Sequence, residues 1–217
     1  MIYEPVQANR YFTKTQKYSD VDWSDFDAVV DAFQQRINNW YIDAATALAD
    51  ATGHHAFSIM AIDCLLIDTL SQFATGQLSS TANTFKSFIS DHLANFNASL
   101  ANPIQHDDHN RQATLTTVAD VIYHGFRCGI LHQAHIPLYG AVDPGGAHFN
   151  DAGSGTTKYA ADGSDCPTLV VNPLRLLEDL KAYFSQYISD LKNTDPQFDA
   201  LRVNFKTKFS DSFGVTV

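Results

Sequence analysis

Apolar residues three and four positions apart recur along most of this chain, and that spacing is the helical period. Phe26, Val29, Val30, Phe33, Ile37, Trp40 and Tyr41 follow it, and so do Ile59, Ile62, Leu66, Leu70 and Phe73. The same spacing returns at Phe85, Phe88, Ile89, Leu93 and Phe96, and again at Leu115, Val118, Ile122 and Phe126. It closes with Leu174, Leu177, Leu180, Phe184, Ile188 and Leu191. Stripes of this kind are buried by packing helix on helix. The pattern predicts a mainly α-helical bundle of about five to six helices, formed by the whole chain, 1–217, as one domain.

Local signals set the expected boundaries. Ser24 is placed to cap the first helix, with Asp25 and Asp27 at its positive end, and Thr52-Gly53 breaks it after Asp50. The second helix, His55 to Thr75, adds Met60, Ile67 and Ala74 to its apolar face and stops at Gly76. Asp63 and Asp68 stand on this apolar segment. They are either exposed or hydrogen-bonded helix acids, or one of them orients a cation such as Arg127 or a histidine, as a buried carboxylate requires. A third helix runs from Ser79 or Ser80 to Asn97. A polar loop, Asn102-Pro103 to Asn110, then leads into a helix over about Arg111 to Gln133, which Pro137 keeps from continuing.

Residues 1–22 read as an extended arm, and 139–167 as a Gly/Asp-rich insertion, irregular or with a small hairpin. Its glycines fit neither the P-loop nor the dinucleotide fingerprint. Thr168 to Val171 reads as a short strand, Pro173 opens the next helix, and Pro196 begins a last, weaker one through Phe209.

A formal charge of -10 argues against broad, nonspecific nucleic-acid binding, and nothing suggests DNA specificity. A local basic cleft remains compatible with it. The three cysteines, Cys64, Cys128 and Cys166, are isolated and make no disulfide framework, which suits a reducing, cytoplasmic setting. Met1 to Pro5 lacks the basic and apolar regions of a signal peptide. The most apolar run, Ile59 to Leu70, contains both aspartates and is too short to span a bilayer, so no membrane is expected.

Chemistry concentrates at Tyr123-His124-Gly125-Phe126-Arg127-Cys128-Gly129-Ile130-Leu131-His132-Gln133-Ala134-His135. Asp120, His124 and Arg127 follow an i, i+4, i+7 row. Arginine keeps its charge and presents a planar fork that suits phosphate, and histidine takes and gives protons near neutrality. The pair Arg127 and His132 therefore has the parts for phosphodiester chemistry, with Asp63, Asp120, His124, Cys128 and His135 as supporting candidates. The plain alternative is an arginine paired with a carboxylate and a helix-terminal histidine satisfying carbonyls. Cys128 is either a small buried helix residue or a nucleophile. His106-Asp107-Asp108-His109 and His132-x2-His135 hold metal-ligand types but no recognised zinc spacing, so neither metal nor cofactor is expected. Five residues along an ideal α-helix place two side chains roughly 140° apart. Arg127 and His132 thus meet only if the helix loosens near Gly129, or if a cleft gathers them, one shared across a dimer for instance.

Arg-x4-His near the end of a helix in a small, mainly helical chain resembles the HEPN superfamily. The longer segment Arg127-Cys128-Gly129-Ile130-Leu131-His132-Gln133 is similar to a branch of HEPN-like bacterial proteins with an Arg-Cys-Gly-Leu-Leu-His-Gln type segment. The resemblance covers about Ile59 to Leu191 and implies a metal-independent endoribonuclease acting as a homodimer on RNA. Arg127 and His132 would be catalytic, with attack by a ribose 2′-hydroxyl on the neighbouring phosphate. Active members often carry Asn, Asp or His directly after the arginine, where this chain has Cys128. The alternative implied is a noncatalytic helical module that binds nucleotide, RNA or a protein partner.

Overall fold

The computed structural model describes residues 9–108, 111–151, 157–159 and 165–217. In chain order the helices and strands are α1 (Phe26–Ile37), α2 (Asp43–Asp50), α3 (Ala56–Thr75), α4 (Ala82–His92), β1 (Ser99–Asp108) and β2 (Arg111–Thr117). There follow α5 (Val118–Val121), α6 (Gly129–Gln133), β3 (Gly140–Val142), β4 (Phe149–Asn150), β5 (Thr157–Tyr159), β6 (Asp165–Pro167) and β7 (Leu169–Val171), then α7 (Pro173–Lys192) and α8 (Asp199–Phe213). Wide π-helical turns, Asn38–Ile42 and Ile122–Cys128, join α1 to α2 and α5 to α6. The chain is mainly helical, as the three-and-four spacing predicts. Its contacts divide it into two compact units that interleave along the sequence.

The first unit comprises Met1–Ala47, Asp68–Ser80 and Lys181–Val217. Its core is aromatic: Phe12, Phe33, Phe205 and Phe209 have no exposed surface, and Trp23 and Phe73 almost none. Phe33 meets Phe73 at 4.4 Å and Phe205 edge-on at 5.3 Å between ring centroids. Edge-to-face pairs of this kind add to simple area burial. Asp25, not Ser24, caps α1, its carboxylate accepting from the N–H groups of Asp27 and Ala28. Ser24 instead donates to Asp22. The expected extended arm is, over its described part, a tight loop. The Thr13 hydroxyl accepts from the N–H groups of Thr15 and Gln16, and Tyr11 bridges to Lys17. This folds Phe12 into the core, where the Arg36 guanidinium lies over its ring and donates to its carbonyl. Trp40, expected inward, is 49% exposed because the wide turn rotates it off the buried stripe.

The second unit comprises Leu48–Ile67 and Thr81–Leu180. Here the sequence expectation needs correction. Within 99–117 the sequence predicts a polar loop from Asn102 to Asn110 and a helix start at Arg111, but the segment forms an antiparallel hairpin with Ile104 opposite Leu115 and His106 opposite Ala113. Leu115 and Ile104 are buried while Thr114, Thr116 and Gln105 are exposed, which is the period-2 alternation of a strand. Leu115 is therefore buried, but from β2 and not from a helical stripe. The third helix is also shorter than expected and ends at His92, before a 3-10 turn over Ala94–Phe96.

The Gly/Asp-rich insertion contains ordered strands. β7 is the central strand of a three-stranded sheet, parallel to β3 and antiparallel to β4, while β5 pairs with β6. The Gly153-Ser154-Gly155 run lies outside the described residues. Asn172 caps α7, its amide oxygen accepting from the N–H groups of Leu174 and Arg175, and its NH2 donates to the carbonyls of Pro144 and Gly146. The cap thus ties the insertion to the helix that follows it.

α3 follows the expected His55 to Thr75 closely, and it extends beyond the apolar run Ile59 to Leu70. It has the length and apolarity to cross a membrane, and half of its most apolar stretch is buried inside the protein. Ile59, Met60, Cys64, Leu66, Ile67, Leu70 and Phe73 are buried along it, the pattern of a core helix.

Candidate functional site

The helix that carries the motif begins on a reciprocal cap. The Thr117 hydroxyl accepts from the Asp120 N–H at 3.1 Å, and the Asp120 carboxylate accepts from the Thr117 N–H at 3.1 Å. Asp120 also accepts from the Thr116 N–H and from the Lys86 ammonium at 3.0 Å. Partial burial pushes the Asp120 carboxyl up. Donation by Lys86, by the Thr116 N–H and by the Thr117 hydroxyl outweighs it and holds the group down at about 2. Asp120 therefore serves the helix start.

Beyond the cap the helix widens. Val118, Val121, Ile122 and Phe126 are buried, as the apolar row predicts. From Ile122 to Cys128 the backbone takes π-helical form, in which bonds run to the fifth residue and each turn holds more residues than in an α-helix. Positions five apart are drawn toward one face. Arg127, in this segment, reaches His132 with Nη1 2.9 Å from Nε2. Arg127 lies near the end of the π-helical segment and His132 in α6, so the two side chains meet within one chain across the junction of the two forms.

The contact has a chemical consequence. Arginine carries only donors, so the bond requires His132 Nε2 to accept, with the ring proton on Nδ1. His132 is exposed and Arg127 half-buried. In this tautomer the Nε2 lone pair is the atom that meets the guanidinium. Tyr123 lies under the guanidinium, 5.7 Å from its centroid, and packs edge-on against Phe85 at 5.4 Å.

The end of the helix is fixed by glycine and a left-handed residue. Ala134 has φ 51, its N–H donates to the Ile130 carbonyl, and the His135 N–H donates to that of Gly129. A Cβ on Gly129 would lie 2.4 Å from the His135 carbonyl oxygen, so only glycine lets the chain return this closely. His135 contributes through its backbone, and its ring is exposed.

A second group lies on the neighbouring stripe. The His106 ring on β1 lies 5.2 Å from that of His124 at a tilt of 46°, and its Nδ1 is 2.9 Å from the Tyr139 hydroxyl. His106, His124, Cys128 and Gln133 line a small cavity of about 70 Å³. So His124 and Cys128 share one pocket and Arg127 and His132 another contact, where the sequence row had joined Asp120, His124 and Arg127. Asp63 is fully buried in α3, as a carboxylate held by the interior would be. Among the described residues no group of three or more His, Cys, Asp or Glu is arranged to hold a metal ion. His109 lies outside the described residues.

Sequence reasoning included Tyr123 in the stretch without a role, missed Tyr139 and Lys86 as parts of this region, and saw in His106 only a ligand type. The alternation Thr114, Leu115, Thr116 was the available signal, because a hairpin there carries His106 back over the helix. Comparisons with protein-family models, with curated proteins and with solved structures found no match.

Proposed function

We propose that this chain is a metal-independent endoribonuclease of the HEPN type, with Arg127 and His132 as its reacting pair. The observation that carries the reading is the 2.9 Å contact between them. On substrate binding the phosphate takes the Arg127 N–H group bound to His132, and the His132 Nε2 lone pair so released takes the proton of a ribose 2′-hydroxyl as that oxygen attacks the adjacent phosphorus. The remaining N–H groups of Arg127 would meet the negative charge gathering on the phosphoryl oxygens. The His132 ring then gives that proton to the 5′-oxygen as the P–O5′ bond breaks, leaving 2′,3′-cyclic phosphate and 5′-hydroxyl ends, and no step asks a metal to activate water. Asp63, His124 and Cys128 are proposed in support, and the active form is proposed to be a homodimer in the cytoplasm. The contact removes the geometric need for a second chain, so the dimer rests on the resemblance.

The same contact favours the second reading, a noncatalytic helical module that binds nucleotide, RNA or a protein partner. Arg127 and His132 satisfy each other, as structural residues do. A labelled-RNA time course in excess EDTA, with wild type, Arg127→Ala and His132→Ala and parallel melting curves, separates the two. The nuclease reading expects cleavage by wild type and a loss of about 10²–10⁴-fold in folded His132→Ala. Equal cleavage by all three proteins, or none by wild type on several RNAs, would end it.

A further inference from the structure

The second unit contains a larger cavity, of about 310 Å³, to which the nuclease reading assigns no role. It is formed by the end of α2, the turn before α3, the first turn of α3, β3 and the start of α7, and its walls include Leu48, Ile59, Val142 and Leu174. Small-molecule sites are typically clefts of about 300–1,000 Å³ with mostly apolar walls and a few converging polar groups. The polar side chains here are His54 and His55. Among the described residues neither imidazole has a hydrogen bond, ion pair or ring contact. Gly53, at φ 136, forms the turn that presents them, and a Cβ there would sit 3.0 Å from His55 Nε2. Phe57, at the cavity wall, leaves 38% of its surface exposed, apolar area that the protein itself does not cover.

The charge pattern selects the ligand. The chain carries a net charge of -10, yet among the described residues no Asp, Glu, Lys or Arg lines this cavity. An imidazole offers at least one N–H donor in either protonation state. An anion there meets donors and no carboxylate, and an apolar tail meets aliphatic and aromatic walls. We infer that the cavity beneath His54 and His55 binds a small monocarboxylate with an apolar tail, an aromatic or branched-chain acid.

Phenylacetate and its neutral counterpart 2-phenylethanol are the probes, followed by ligand-observed NMR and calorimetry on the full chain. Phenylacetate is expected to bind at least about tenfold more tightly than the alcohol, a difference of about 1.4 kcal/mol. Ala49 is exposed at the cavity wall, so Ala49→Trp fills the space without disturbing the core and should abolish binding. The combined His54→Ala and His55→Ala variant should bring the acid down to the affinity of the alcohol, and Phe57→Ala should weaken both. Melting curves establish that each variant is folded. No binding of phenylacetate at millimolar concentration, equal affinity for acid and alcohol, or binding unchanged in folded Ala49→Trp and Phe57→Ala would each overturn the inference.

Discussion

Asp120 shows how an ionisable residue inside an apparent functional row can belong to the scaffold. Its carboxyl is held at about 2 against an ordinary 3.8. A depressed carboxylate contributes stability that is complete above the unfolded value and lost as pH falls through the folded one. Asp120 should thus stabilise fully above about pH 4 and stop doing so near pH 2, contributing about 1 kcal/mol once solvent screening is allowed for. Chemical denaturation of Asp120→Asn and wild type at pH 7 and pH 2.5 checks this: the gap between them should narrow at the lower pH, and a constant gap would refute the assignment. Asp63 acts from the interior, where the expected loss is larger. A fully buried carboxylate is kept by its surroundings, so Asp63→Asn should lower the denaturation midpoint, by about 3–5 kcal/mol where a charge partner is left behind. An unchanged midpoint and slope would show that the carboxylate needs nothing from the interior.

At the scale of elements, the motif helix is defined by its irregularities. Its apolar row, Val118, Ile122 and Phe126, is legible because three-and-four spacing survives on the buried side. The π-helical segment is not, since no residue type demands it. The helix end is legible only in part. Gly129 announces a close approach, but the partner, the His135 carbonyl, depends on how the chain returns. Gly129→Ala should therefore cost about 1–3 kcal/mol, as overpacking does, and should disturb the histidine that follows. Ala134 points the other way. An L-residue in the left-handed region costs about 1–2 kcal/mol, so Ala134→Gly should leave thermal stability equal or higher, and a clear fall in melting temperature would contradict the helix end described here. The hairpin was missed because Asn102-Pro103 reads as a loop, while the decisive alternation occupies only a few residues of β2.

For the whole molecule, helical content follows from the recurrent stripes, while the two interleaved units follow from contacts between segments distant in sequence, which periodicity does not carry. Net charge of -10 sets a further expectation. On the proposed nuclease reading, RNA has to be held locally against a repulsive field, so binding should weaken steeply as salt rises only if phosphate contacts dominate. Light scattering over a concentration series tests the proposed dimer, and a single 24.0 kDa species throughout would exclude it. The account stands most directly on Arg127 and His132 acting as one unit. Groups that act together in catalysis are strongly non-additive when removed. The measurement is the RNA cleavage rate of wild type, Arg127→Ala, His132→Ala and the double variant, in EDTA. If the pair is the reacting unit, the double variant falls little further than the worse single one; independent, multiplying losses, or equal rates in all four proteins, would contradict it.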